Sequence, residues 1–86
     1  MKERFDNYKR LKESHKEHVL LFRYADWYET YGEDAKAIVK VLGITLKKRG
    51  DIYLAHFPHQ ELDEFLPKLV RAGVKTAICD PINKNV

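Results

Sequence analysis

The sequence has a single cysteine, Cys79, and therefore cannot form an internal disulfide. No apolar segment follows the charged N-terminus as a signal-peptide core would. No apolar run approaches the roughly 20 residues that a membrane-spanning helix requires. Because free cysteines are typical of reducing compartments, we expect a cytoplasmic protein without a membrane partner.

The patterns that identify many catalytic and cofactor sites are also missing. The four glycines form neither a phosphate-binding loop nor a dinucleotide fingerprint, and there is no Ser-His-Asp constellation. The nearest approach to a set of metal ligands is His56, His59, Cys79 and Asp80. The two histidines straddle Pro58, however, and no second closely spaced pair follows. We therefore expect no metal, no cofactor and no enzymatic activity.

What the sequence does contain is enough apolar residues for one modest core. A hydrophobic content of 44% beside 34% charged residues is typical of a globular chain. Eighty-six residues allow one domain, 1–86. The net charge of +3 is compatible with a polyanionic partner, but it does not by itself indicate one.

Hydrophobic periodicity predicts three helices and five strands. The helices are expected at 2–16, 32–42 and about 60–73, and the strands at 19–22, 27–31, 44–48, 52–57 and 74–79. Pro67 removes a backbone hydrogen bond in the third helix and should kink or split it. Strands joined by short turns pair antiparallel, and strands separated by a helix can pair parallel. The predicted fold is α+β, of order α-β-β-α-β-β-α-β, with a mixed sheet flanked by helices.

The central stretch is VLLFRYADWYETY, residues 19–31. Strand alternation places Trp27, Glu29 and Tyr31 on one face, with about 6.6 Å between neighbours in the row. Two interpretations are open. In the first, Trp27 fills a core and Glu29 is a solvated neighbour. In the second, the two side chains form a recognition surface.

Basic residues occur in two places. Lys47–Arg49 precedes a predicted Gly50-Asp51 turn, where three cations could contact phosphates or keep a sheet edge soluble. The first helix carries further cations that we expect on its outer surface: Lys9, Arg10, Lys12 and Lys16. Because acidic residues interrupt this second group, a solvated face is the favoured interpretation.

The chain resembles the N-terminal mismatch-recognition domain of MutS-type DNA repair proteins over nearly its whole length. The matching stretches, in order, are YKRLKESH, VLLFRYADWYETYGEDAK, LGITLKKRG and LAHFPHQELDEFLPKLVRAGVKTAICDPI. The resemblance rests on their order and spacing together. It implies a MutS domain I-like fold and binding to mismatched or bulged double-stranded DNA.

The resemblance also implies roles for individual residues. In that family a Phe-x-Glu motif inserts its phenylalanine into the minor groove and its glutamate hydrogen-bonds the mispaired base; Trp27 and Glu29 stand at these positions. The family's Lys-Arg-Gly sequence, near the DNA backbone and groove, matches residues 48–50. His56 stands where the family usually has glycine. The complete expected set of DNA contacts is Arg23, Tyr24, Trp27, Glu29, Lys47, Lys48 and Arg49.

An aromatic wedge discriminates through the deformability of DNA. Unstacking a base step costs a few kcal/mol, and less at a mismatched step that is already weakened. Stacking of Trp27 on a base is worth about 1–3 kcal/mol. A free Glu29 carboxylate would be repelled by phosphates and so penalise ordinary duplex, which predicts that Glu29→Gln binds ordinary duplex more tightly with a smaller mismatch preference.

Two hypotheses follow for the function. The clamp, connector and ATPase domains of full MutS proteins have no counterpart in these residues, so we expect a stand-alone module that binds duplex DNA only in the micromolar range or more weakly, about 10⁻⁶ M at best. Alternatively, the chain is a protein-interaction module that modulates a repair protein. Phosphate binding weakens steeply with salt and an apolar protein contact does not, so a salt series separates the two.

Overall fold

The computed structural model describes residues 2–79, with side chains described from Arg4 onward. Within this range the predicted element order is confirmed. The elements are α1 Lys2–Lys12, β1 Val19–Tyr24, β2 Trp27–Tyr31, α2 Gly32–Leu42, β3 Lys47–Arg49, β4 Ile52–Pro58, a 3-10 helix His59–Glu61, α3 Leu62–Arg71 and β5 Thr76–Cys79. Asp80 and the tail 81–86 lie outside the described residues.

The strands form one mixed sheet of order β3-β4-β2-β1-β5. β1 pairs parallel with β5, and the other neighbours pair antiparallel. Two hairpins have two-residue turns, Ala25-Asp26 and Gly50-Asp51. The first residue of each turn has a positive φ, 54° at Ala25 and 59° at Gly50, which suits the twist of the flanking strands. The predicted hairpin at Gly50-Asp51 and the mixed α+β sheet are confirmed.

Helices cover both faces of the sheet. α1 packs on the face that carries Trp27 and Glu29, which we call the Trp27 face. The core there consists of Tyr8, Leu20, Tyr31 and Leu54, with Phe5 and Leu11 beside it. α2 and α3 pack on the opposite face over a larger core of Val19, Leu21, Tyr28, Ala35, Ile38, Ala55, Phe57, Phe65 and Leu69. Strand alternation distributes these apolar residues between the two layers.

The partly buried carboxylate of Asp34 ties α1 to the rest of the fold. It accepts hydrogen bonds from Lys12 Nζ at 2.8 Å, from the Leu20 backbone N–H at 3.2 Å and from the Tyr8 hydroxyl. Lys12 therefore does not lie on the outer surface, and that prediction was wrong. The physical reason is that Lys12 follows Tyr8 by one helical turn and reaches the same acid.

α1 and α3 differ from the prediction in detail. α1 ends at Lys12 rather than at residue 16. α3 is one helix despite Pro67, so the predicted split is wrong, while a kink stays a prediction. The missing N–H costs one bond to Asp63, whereas Phe65 and Leu69 stay buried on both sides of the proline. None of the helices formed by residues 2–79 has the length and apolarity to cross a bilayer.

Candidate functional site

Two aromatic side chains project from the first hairpin. Trp27 begins β2 and lies directly opposite Tyr24 at the end of β1. Their residues are 40% and 48% exposed, in a chain whose other large aromatics are mostly covered. The Trp27 ring rests edge-on against His56, with 4.6 Å between the ring centroids. Trp27 is therefore not a core residue, and the His56 ring packs against its indole.

The neighbouring acid on the same row is covered. Glu29 is only 8% exposed. One carboxylate oxygen accepts a hydrogen bond from Arg4 Nη1 at 2.9 Å and the other from the Tyr31 hydroxyl at 2.6 Å. The expectation of a free Glu29 carboxylate was wrong. α1 packs over this part of the sheet through Phe5 and brings a cation onto the acid.

The electrostatics of the site follow from this packing. Burial and the hydrogen bond to Glu29 raise the pKa of Tyr31 above its ordinary value, so its hydroxyl stays protonated and donates. The Arg4 guanidinium carbon also lies 4.1 Å from the centre of the Tyr24 ring, a favourable cation–π distance. Arg4 is thus held at two points, by a carboxylate and by an aromatic ring.

His56 contacts both Trp27 and Lys47, and so links the exposed indole to the β3–β4 hairpin. It is the cross-strand partner of Glu29, and its Nε2 accepts a hydrogen bond from Lys47 Nζ at 2.9 Å. Burial, and then the nearby charge of Lys47, lower the pKa of His56 below its ordinary value. Its Nδ1 is buried without a hydrogen-bond partner among the described residues. At neutral pH the His56 ring is therefore uncharged where it packs against Trp27.

These side chains surround a shallow depression of about 360 Å³ on the Trp27 face. Its walls combine aromatic rings, cations and one acid: Arg4, Tyr24, Trp27, Glu29, Arg49 and His56. Such a mixture offers stacking surfaces and hydrogen-bond donors together. It suits a flat polar ring or the edge of a base pair better than a purely apolar ligand.

The basic triplet is divided between the two faces of the sheet. Lys47 and Arg49 pair with residues of the Trp27 face, Leu54 and Ile52. Lys48 pairs with Tyr53, and its Nζ lies 5.1 Å from the centre of that ring on the opposite face. The structure thus brings two of the three cations to the side of Trp27.

Arg23 also lies away from the wedge. Its guanidinium carbon is 5.8 Å from the centre of the Tyr28 ring, on the opposite face, and its Nε donates to the carbonyl of Ala25 at 2.7 Å. Of the seven residues predicted to contact DNA, five share the Trp27 face. These five are Tyr24, Trp27, Glu29, Lys47 and Arg49.

Sequence reasoning missed Arg4 and gave His56 no role in the site. A signal for Arg4 was present, since Arg4 and Lys12 lie one helical turn before and after Tyr8, which belongs to the apolar face of α1. Both cations of this row make ion pairs across the fold, with Glu29 and Asp34. For His56 the signal was its place on β4, an even number of residues from the buried Leu54 and thus on the same face.

Comparison with known proteins matches this chain to one family. MutS domain I matches residues 3–86. Over 80 residues the chain is 49% identical to the DNA mismatch repair protein MutS of Porphyromonas gingivalis, covering 87% of this chain and 9% of that protein. It is 47% identical over 79 residues to MutS of Thermotoga maritima, covering 92% and 10%. The chain spans about a tenth of the length of these curated relatives.

Proposed function

The chain belongs to the MutS domain I family, and from this premise we propose that it is a non-catalytic module that binds mispaired, bulged or otherwise distorted duplex DNA. The observation that carries the proposal is the exposure of Trp27 beside Tyr24, on the sheet face that also carries the exposed cations Lys47 and Arg49. A solvent-exposed indole that packs edge-on against the His56 ring has the shape of a wedge for a base step.

The energetics favour weak steps. Inserting a ring between base pairs costs a few kcal/mol of unstacking, and a mispaired step has lost part of that stacking already. Contact between the indole and a base returns about 1–3 kcal/mol. Because His56 supports the Trp27 ring from behind, little side-chain freedom is lost on insertion.

The charges on the Trp27 face suit a polyanion. Lys47 and Arg49 project on the same side as Trp27 and supply phosphate contacts beside the wedge. Glu29 does not offset them as a free acid would, because Arg4 already compensates its charge. With few phosphate contacts, the affinity is expected to be modest and strongly dependent on salt.

The test is a titration of short labelled duplexes that are perfect, mismatched or carry a single-base bulge. We expect tighter binding to the distorted duplexes, lost in Trp27→Ala and largely retained in Trp27→Phe. Equal affinity for all three duplexes, unchanged by Trp27→Ala, would contradict the proposal. Lys47→Ala and Lys48→Ala form a matched pair on one strand, and only the first should weaken binding and reduce the salt slope by about 1.

A second candidate function, a protein-interaction module, is favoured by a different surface. Val70 on α3 and Ile78 on the edge strand β5 are 64% and 40% exposed. Because the curated relatives are about ten times longer, the partner we propose is the remainder of a MutS-type chain. Calorimetric titration with purified MutS of Porphyromonas gingivalis should show salt-insensitive binding that Val70→Ser abolishes. Absence of heat at two temperatures about 20 °C apart would exclude this candidate, because apolar binding has a negative heat-capacity change and its enthalpy cannot vanish at both.

A further inference from the structure

Arg4 occupies an unusual position for a surface helix residue. It reaches from α1 across the Trp27 face, bonds Glu29 at 2.9 Å and lies 4.1 Å from the centre of the Tyr24 ring. Its side chain is a quarter exposed, and it borders the same depression as Trp27. These contacts hold the guanidinium between Glu29 and Tyr24, in the depression that the indole also lines.

The minor groove of DNA needs donors more than acceptors. Its floor presents adenine N3 and thymine O2 acceptors at every A·T pair, and the 2-amino group of guanine is its only donor. Glu29, as a carboxylate, can only accept. Arg4 has five N–H donors, of which its hydrogen bond to Glu29 uses one. Arg4 therefore brings hydrogen-bond donors to this site that Glu29 cannot supply, and unlike Arg49 it is held there by an acid and a ring.

We propose that Arg4 contacts base edges, donating to minor-groove acceptors of the base pair that flanks the step opened by Trp27, and that Glu29 is a positioning residue for it. This inference rests on the proposed function, since it requires Trp27 to enter the duplex. The Glu29 carboxylate and the Tyr24 ring hold the guanidinium before DNA arrives, so little rotamer freedom remains to be lost.

The arrangement has a consequence for specificity. A guanidinium and the guanine 2-amino group are both donors, so a G·C pair beside the lesion is disfavoured relative to an A·T pair. The narrow minor groove of A·T-rich DNA also attracts arginine electrostatically. The site therefore prefers distorted steps with A·T neighbours.

The experiment compares four variants with the unmodified chain on mismatched duplexes: Arg4→Ala, Arg4→Lys, Arg4→Ala combined with Glu29→Gln, and Arg10→Ala. Arg10 is the matched control, because it is an exposed arginine on the same helix that bonds only Asn7 among the described residues. The double variant removes the acid that Arg4→Ala would leave without its cation, so a loss of binding can be separated from the effect of an unpaired Glu29. Each mismatched duplex is prepared with four different flanking base pairs. Two contain thymine, opposite either adenine or 3-deazaadenine, which lacks N3. The other two are G·C and inosine·C.

We expect Arg4→Ala to weaken binding about tenfold or more, with Arg4→Lys intermediate and Arg10→Ala nearly unchanged. For the unmodified chain, 3-deazaadenine should weaken binding, and inosine·C should bind more tightly than G·C. Neither base change should alter the binding affinity of Arg4→Ala or of the double variant. A helix that merely supports the fold would not produce this dependence on single base atoms.

Equal losses in Arg4→Ala and Arg10→Ala, with no response of the unmodified chain to either base change, would overturn the inference. The mismatch preference and its dependence on Trp27 would then stand on their own. If the unmodified chain instead shows no preference for mismatched duplex, the proposed function fails, and this inference fails with it.

Discussion

The guanidinium of Arg4 lies 2.9 Å from the carboxylate of Glu29, although 25 positions separate them in the chain. The pair joins α1 to β2 at the base of the exposed wedge. In the folded protein the negative charge of Glu29 is compensated by Arg4 before any ligand binds. This changes what its substitution should do.

For Glu29→Gln we expect a loss of stability of about 1–2 kcal/mol, because a charge-assisted hydrogen bond in a partly buried setting is lost. We also expect little gain in affinity for ordinary duplex, in contrast to the expectation for a free carboxylate. Urea unfolding and duplex titration measure the two effects. Glu64→Gln is the control, since Glu64 forms an exposed pair with Lys68 at 3.8 Å and should change stability by less than about 0.5 kcal/mol. Clearly tighter binding to ordinary duplex, without loss of stability, would restore the repulsion argument.

Asp34→Asn should weaken the attachment of α1 to the sheet. Asp34 accepts hydrogen bonds from Lys12, from Tyr8 and from a backbone N–H, so we expect a loss of about 2–3 kcal/mol. Its sequence neighbour Glu33 pairs with Lys36 in the open, and Glu33→Gln should have an effect several-fold smaller. Urea unfolding compares them, and equal losses in the two variants would contradict this role for Asp34.

Trp27 fluorescence should report the protonation of His56, because the two ring centroids are 4.6 Å apart and imidazolium quenches indole emission. The pKa of His56 is lowered from 6.5, so emission should stay constant above that pH and fall at a lower one. The folded state favours the neutral ring. Its contribution to stability is therefore present above pH 6.5 and is lost as the pH falls through the folded pKa. A pH titration of His56→Asn should lack the transition, and that of His18→Asn should keep it.

We expect substitutions at the first residue of the two hairpin turns to change stability in opposite directions. Ala25 and Gly50 both have φ near +55°, which costs an alanine about 1–2 kcal/mol, and glycine gives back part of this through its freer unfolded chain. Ala25→Gly should therefore stabilise the protein by about 0.5 kcal/mol, and Gly50→Ala should destabilise it by a similar amount or more. A Cβ atom added at Gly50 would meet no atom within 4 Å, so the effect there is one of backbone conformation. Thermal unfolding of both variants measures it, and shifts of the same sign would refute it.

Much of the fold was predictable because the signals are local. The alternation in residues 27–31, the helical spacing in α2 and the Gly50-Asp51 turn each depend on a few adjacent residues. Element ends were less predictable: β3 begins at Lys47 rather than at residue 44, because Ile44 and Leu46 pack against the core from a loop. Pro67 did not divide α3, because packing of the apolar face outweighs one lost backbone bond.

The candidate site was predictable only in part. Trp27 is exposed rather than in the core, and five of the seven expected residues share its face, while their contact with DNA stays a prediction. The helical spacing puts Arg4 on the same side of α1 as Tyr8, but its pairing with Glu29 depends on how α1 docks on the sheet, which is a tertiary property. The division of Lys47–Arg49 between two faces follows from simple alternation, but it becomes meaningful only once the register with β4 is known.

The two-residue turn at Gly50-Asp51 also determines which of the three cations of β3 lie on each face of the sheet. A one-residue insertion there that shifted β3 along β4 would exchange the sides, turning Lys48 toward Trp27 and Lys47 and Arg49 toward α2. Loop length, rather than composition, would then decide how many cations meet a duplex. Natural variation in this hairpin should therefore change affinity for DNA even between chains of identical net charge.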